Sequence, residues 1–192
     1  MPLTPDPNLP PRVQFRAPRP YDRREITTLY ERRTGFELTD SLDRVFDDEL
    51  PVYGLLAIDV EQIVGVGIAQ VYHREGIEQY LAVDTDGYPT GDANGVMHAG
   101  VVHEDWEGRG LGTELMRLRL ELLREAHDVD AVFGVSWIRP HTVDSSVLFE
   151  KLGFTRLDTV DDYYERTSGS RDCPDCEQSC TCAGAIYAKV LD

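Results

Sequence analysis

A chain of 192 residues with 41% hydrophobic residues and nine tyrosines has the composition of one globular domain, which excludes a disordered or fibrous polymer. Its apolar runs fall far short of the ~20 residues that cross a bilayer. Its opening, MPLTPDPNLPPRV, has neither the basic nor the apolar region of a signal peptide, so a cytoplasmic location is expected. The net charge of −16, from 35 acidic and 19 basic residues, excludes a nucleic-acid binder, which needs a basic stripe to displace counterions.

The only lysines are Lys151 and Lys189. An acidic surface that avoids lysine resembles proteins of salt-loving archaea or bacteria, where carboxylates hold water and keep the protein soluble. In molar salt the Debye length is about 3 Å, so this charge reports on solubility rather than on substrate.

In chain order, residues 1–11 read as a proline-rich flexible arm and residues 12–192 as a single domain. RVQFRAP (Arg12 to Pro18) predicts a first strand. Asp22 can start a helix through REITTLYERRTG, where Ile26, Leu29 and Tyr30 share a face and Gly35 ends it. SLDRVFDDEL (Ser41 to Leu50) predicts a second short helix stopped before Pro51, and VYGLLAID and QIVGVGIAQVYH a strand pair. Asp84 to Gly95 is crowded with turn residues; its D-x-D-G start hints at calcium, but the later ligands of a calcium loop are missing.

Val96 to His103 reads as a strand, and the spacing of Leu111, Leu115, Leu118, Leu122 and Ala126 predicts a long amphipathic helix. AVFGVSWI (Ala131 to Ile138) is a strand buried on both faces. VDSSVLFEKLGF is a helix capped by Gly153 and followed by a strand. YYERTS and GAIYAKVL, either side of a cysteine-rich insert, read as a closing hairpin. This order indicates an α/β fold, a mixed sheet of about seven strands flanked by about four helices.

The densest signal is Gly108, Gly110 and Gly112, alternating between the strand ending in VVH and the helix from Leu111. A Walker loop would need a lysine, which this turn lacks, and a dinucleotide fingerprint would need glycine where Thr113 stands. A strand running through a glycine turn into a helix N-terminus satisfies a third requirement. The helix start offers unpaired N–H groups and about half a positive charge, so it can hold a pyrophosphate without lysine.

EGRGLG resembles the pyrophosphate loop of the GNAT superfamily of acyl-CoA-dependent N-acyltransferases, [RQ]-x-x-G-x-[GA], with Glu107 departing from the usual first residue. SSVLFEKLGF is similar to the family's second signature, L-Y-E-K-L-G-F, with Phe149 in place of its tyrosine. The subgroup it looks nearest is that of the ribosomal-protein alanine acetyltransferases. The resemblance implies a GNAT-like splayed sheet with a slot beside the central strand, and acetyl-CoA as cosubstrate. The backbone of Val101 and Val102 would pair with the pantetheine arm, and the amides of Gly108, Arg109, Gly110, Leu111, Gly112 and Thr113 would hold the pyrophosphate. The reaction implied is transfer of an acetyl group to a primary amine, of a small molecule or a protein N-terminus, by direct attack in a ternary complex.

Such a reaction needs a base for an ammonium of pKa about 10, a donor for the tetrahedral oxyanion, and release of a thiolate of pKa about 8.5. His98 is the candidate base. Period-two alternation puts it on the face of Val102, and arylalkylamine acetyltransferases carry a histidine at the equivalent strand position. A hydrogen-bonded core histidine is the competing reading. His103 reads as structural; Glu104, Asp105 and His141 are weaker base candidates, and Trp137 stands where the alanine acetyltransferases carry a glutamate. Tyr164, with Tyr163, resembles a tyrosine pair near the acceptor pocket of those enzymes and is the candidate for the missing hydroxyl; ordinary strand aromatics are the alternative.

CPDCEQSCTC places Cys173, Cys176, Cys180 and Cys182 as C-x-x-C-x-x-x-C-x-C. With no secretion signal, four thiolates match a closed tetrahedral zinc site that staples the final hairpin, with an iron–sulfur cluster or a redox pair as alternatives. Two other functions stay open: a non-catalytic acyl-CoA sensor, which the missing tyrosine would fit, and a zinc-knuckle interaction protein.

Overall fold

A computed structural model describes residues 6, 8–10, 12–47, 51–126, 128–139, 145–168, 173, 175–176 and 180–191. Seven strands form a mixed, mostly antiparallel open sheet in the order β1-β2-β3-β4-β5-β7-β6, so the expected architecture is present. No helix among the described residues is long and apolar enough to cross a membrane.

The first compact unit takes residues 1–70 and 97–123. Within it, β1 (Val13–Arg16) pairs antiparallel with β2 (Val52–Asp59), and β2 with β3 (Gln62–His73) across the turn at Val60. Alternating side chains of β2 go to opposite faces. Leu56 packs with Ile26, Leu29 and Leu42 of α1 (Arg23–Thr34) and α2 (Thr39–Phe46), while Leu55 and Ala57 pack with Leu111, Leu115 and Leu118 of α4 (Leu111–Ala126). Burial on both faces is why this strand pair reads as an almost continuous apolar run. Helix α1 ends as expected at Gly35, in the left-handed conformation at φ 74°. Its start is tied to β1 by Asp22, which accepts from Arg16 at 2.6 and 2.8 Å and from the Arg19 N–H at 2.7 Å. The Arg16 hydrogen bonds are the main cause that holds this carboxyl below the usual range. The expected second helix begins two residues earlier than Ser41, and residues 48–50 at its expected end lie outside the described residues.

The second unit takes residues 71–96 and 124–192. In it β7 (Ala183–Val190) lies between β5 (Ala131–Ile138) and β6 (Thr155–Val160), antiparallel to both, with Trp137 opposite Gly184. α5 (Ser146–Lys151) stops at Gly153, φ 76°, as its sequence predicts. Two helices are additional. α3 (Arg74–Leu81) buries Ile77 and Leu81 and follows β3 with no intervening turn residues, which hid it. α6 (Tyr163–Ser168) replaces the expected strand YYERTS, so β7 closes against β6 and not against that segment. Aromatic residues favour strands as a prior, but Asp162 at φ 53° ends β6, and its carbonyl accepts the Arg166 N–H at 3.0 Å to open a helix.

Candidate active site

β4 (Ala93–Val102) runs into the glycine turn through a tight turn over Glu104–Trp106. His103 caps that turn, its Nδ1 accepting the Asp105 N–H at 3.2 Å, which is the structural role its position predicted. Its own N–H donates to the Val64 carbonyl at 2.9 Å, anchoring the end of β4 to β3. Glu104 pairs with Arg32 and Glu107 with Arg33, both from the last turn of α1. The departure at Glu107 thus has a local account: the side chain is turned to α1 and fixes the loop by an ion pair. Asp105 is exposed beside His103. Arg109 lies over the Trp106 ring at 4.8 Å from its centroid.

Gly108 and Gly110 sit at φ 71° and 84°, a conformation that costs other residues roughly 1–2 kcal/mol. Nothing lies within 4 Å of where a Gly108 side chain would project, so handedness and not crowding requires the glycine. Gly112 falls inside α4. The first bond of that helix's ladder runs from the Glu114 N–H to the Gly110 carbonyl at 3.0 Å, leaving the amides of Leu111, Gly112 and Thr113 ahead of it. Glu114 is itself buried in the first turn and accepts from Arg117 at 2.6 and 2.8 Å and from the Asp6 N–H at 2.9 Å. Leu9 packs against the cluster that contains Leu111 and Leu115.

His98 makes a contact that its strand position did not foretell. Its Nε2 lies 2.9 Å from the Ser41 hydroxyl of α2. Ala99 and Val101 pack on the α1–α2 side, whereas Val102 packs with α4. Arg119, 3% exposed, donates to the carbonyls of Leu115 and Ile68 at 3.0 Å and of Ala99 at 2.6 Å. Gly67 makes room for it, since a side chain there would come within 2.6 Å of its guanidinium. Desolvation chiefly, then the charges of Arg44 and Arg119, hold His98 down to about 4 from the ordinary 6.5. The imidazole is therefore neutral at pH 7, and a weaker base than a solvent-exposed histidine. Sequence reasoning missed both Ser41 and Arg119. The paired glycines Gly67 and Gly100, both against Arg119, were the one trace of the latter.

In the second unit, Phe149 is buried in the core, stacked on Tyr187 at 5.0 Å and edge-on to Phe154 at 5.1 Å. The Tyr187 hydroxyl donates to Glu150 at 3.2 Å, and burial raises its pKa. Tyr163 is a core residue, donating to the Tyr80 carbonyl at 2.6 Å, with its pKa pushed up mainly by burial. Tyr164 is partly exposed and packs on Trp137, ring centroids 5.2 Å apart. His141 lies outside the described residues.

The chain matches the Acetyltransferase (GNAT) family over residues 21–154, from just before α1 through the glycine turn to just past α5. The chain belongs to the GNAT family. No curated protein sequence matches it. Among solved structures, Arabidopsis thaliana NAA60 in complex with a bisubstrate analogue is similar in fold, with a TM-score of 0.68 at 11% identity, covering 94% of this chain and 98% of that one. A mosquito arylalkylamine N-acetyltransferase-like protein 5b gives 0.65 at 16% identity, covering 93% and 100%. The ribosomal-protein-S18-alanine N-acetyltransferase of Escherichia coli gives 0.62 at 15% identity, covering 94% of each.

This GNAT protein carries its four cysteines together. Their Sγ atoms all lie within 4.8 Å of one another, with Cys173, Cys180 and Cys182 buried. Cys182 is 3.9 Å from Cys173 and 3.6 Å from Cys176, too long for a disulfide. A tetrahedron of sulfurs at the ordinary zinc–sulfur distance of about 2.3 Å has edges of about 3.8 Å, so these separations fit a thiolate-bound metal. The Cys176 N–H donates to the Cys173 carbonyl at 3.3 Å, folding the first C-x-x-C into a knuckle.

Proposed function

We propose that this GNAT protein is an N-acetyltransferase that moves an acetyl group from acetyl-CoA to a primary amine by direct attack in a ternary complex. The observation that carries the reading is the strand, the left-handed turn at Gly108 and Gly110, and the helix start that follows. Three successive amides with the positive end of a 16-residue helix behind them suit a pyrophosphate. The backbone of Val101 and Val102 would take the pantetheine arm, and a backbone N–H the oxyanion.

His98, neutral at working pH, takes the proton that the amine loses, directly or through water, and Ser41 fixes its ring through the 2.9 Å contact. Phe149 carries no hydroxyl, so the thiolate leaves as the anion or is protonated by another group, for which Tyr164 is the candidate. A protein N-terminus is the favoured acceptor. The partly exposed Tyr164 supports it, as does the likeness in fold to Arabidopsis thaliana Naa50, solved with the bisubstrate analogue CoA-Ac-MVNAL (TM-score 0.65, 13% identity). The four cysteines hold zinc as a closed structural site, with all four positions taken by sulfur and none left for a catalytic water. The acidic, lysine-poor surface supports a cytoplasmic protein that works in concentrated salt.

Buried Phe149 also favours a second reading, an acyl-CoA sensor without turnover. Thiol release from acetyl-CoA separates the two. With a panel of peptide N-termini and small amines in molar salt, the enzyme is expected to release one thiol per acetylated amine. Tight acetyl-CoA binding with no amine-dependent release would favour the sensor.

A further inference from the structure

The cysteine knuckle is wired to Trp137 and, through it, to Tyr164, which the proposed function gives a part in the reaction. Asp175, between the first two cysteines, pairs with Arg139 just beyond β5, and both side chains are largely buried, at 15% and 17% exposed. The Arg139 guanidinium lies over the Trp137 ring, 4.5 Å from its centroid, and Trp137 packs on Tyr164. Across the β5–β7 ladder Trp137 faces Gly184, two residues after Cys182. The cysteine segment therefore reaches the indole through the Arg139 guanidinium. An ion pair this buried adds little stability, but it fixes geometry, and losing Asp175 would leave Arg139 charged and under-compensated.

We propose that Arg139 is a positioning residue: through the Arg139–Asp175 pair the metal-bound knuckle sets the orientation of Trp137 and Tyr164, so that acceptor recognition depends on the metal. This rests on the acetyltransferase reading only for the part played by Tyr164. Without a metal, four thiols have no reason to stay gathered, Asp175 loses its place, and Arg139 no longer holds the indole. The cation is one that prefers four thiolates, zinc by its donor set.

The experiment uses the full chain, purified without chelator. Metal analysis is expected to give about one zinc per chain, and cobalt substitution the visible bands of a tetrahedral tetrathiolate. The protein has two tryptophans, so Trp106→Phe leaves Trp137 as the sole emitter. Chelation is expected to move its emission to longer wavelength. Arg139→Gln, with zinc still bound, should reproduce that shift and raise the acceptor KM about tenfold at unchanged acetyl-CoA KM, and Arg139→Lys should restore part of both. Unchanged emission and unchanged acceptor KM in metal-loaded Arg139→Gln would overturn the proposal, as would a chain that binds no metal or that titrates with a disulfide. Should no amine be acetylated, the metal content and the Trp137 emission still decide the wiring, separately from the enzyme reading.

Discussion

Replacing His98 by alanine is expected to lower kcat roughly a hundredfold while leaving the acetyl-CoA KM unchanged, the usual size of a positioned base. His98→Gln can keep a hydrogen bond to Ser41 but cannot take the proton, so it should be as slow. The pH profile gives a second, sharper readout. A base held at about 4 stays deprotonated down to acidic pH, so the acid limb of kcat/KM for the wild-type protein should fall near pH 4 and not near 6.5, and it should vanish in His98→Gln. The same shift has a stability sign. The unfolded histidine binds a proton below its ordinary value while the folded one refuses it until about 4, so this contribution to stability is present above 6.5 and is lost as pH falls between those values. Wild-type turnover in His98→Gln would leave the histidine as a core residue hydrogen-bonded to α2.

Gly110→Val is expected to weaken acetyl-CoA binding by at least about tenfold. A β-branched residue at φ 84° is strained by roughly 1–2 kcal/mol, and its relief would turn the amides of the helix start away from the anion. Gly87 supplies the control. It sits at the same φ of 84°, in the loop of the second unit, with nothing within 4 Å of where a side chain would point. Gly87→Val should therefore lower the melting temperature by a similar amount and leave cofactor affinity alone. Equal affinities in the two variants would mean that the Gly110 conformation serves the turn and not the ligand.

The glycine turn and α4 were legible because each rests on local rules: left-handed residues are written as glycine, and a helix face repeats along the chain. The cysteine cluster was legible for a similar reason, since four ligands in ten residues need no tertiary information to meet. What the sequence hid is tertiary. Arg119 stands four residues after Leu115, on the stripe that periodicity assigns to apolar side chains, and only the carbonyls of Leu115, Ile68 and Ala99 explain a cation there. The partner of His98, Ser41, is 57 positions away on a helix with no motif. Tyr163 and Tyr164 look like strand residues by propensity. Packing decides otherwise, placing one in the core against the Tyr80 carbonyl and the other beside Trp137.

An anion with a thiol-tipped tail is expected to lie along the end of β4 and the start of α4. Isothermal calorimetry with coenzyme A and acetyl-CoA, in molar potassium chloride, tests that directly. Saturable one-to-one binding that Gly110→Val weakens and Gly87→Val leaves intact is the expected result. No heat with either ligand, from folded wild-type protein in that salt, would contradict it and remove the base, the acceptor and the reaction together.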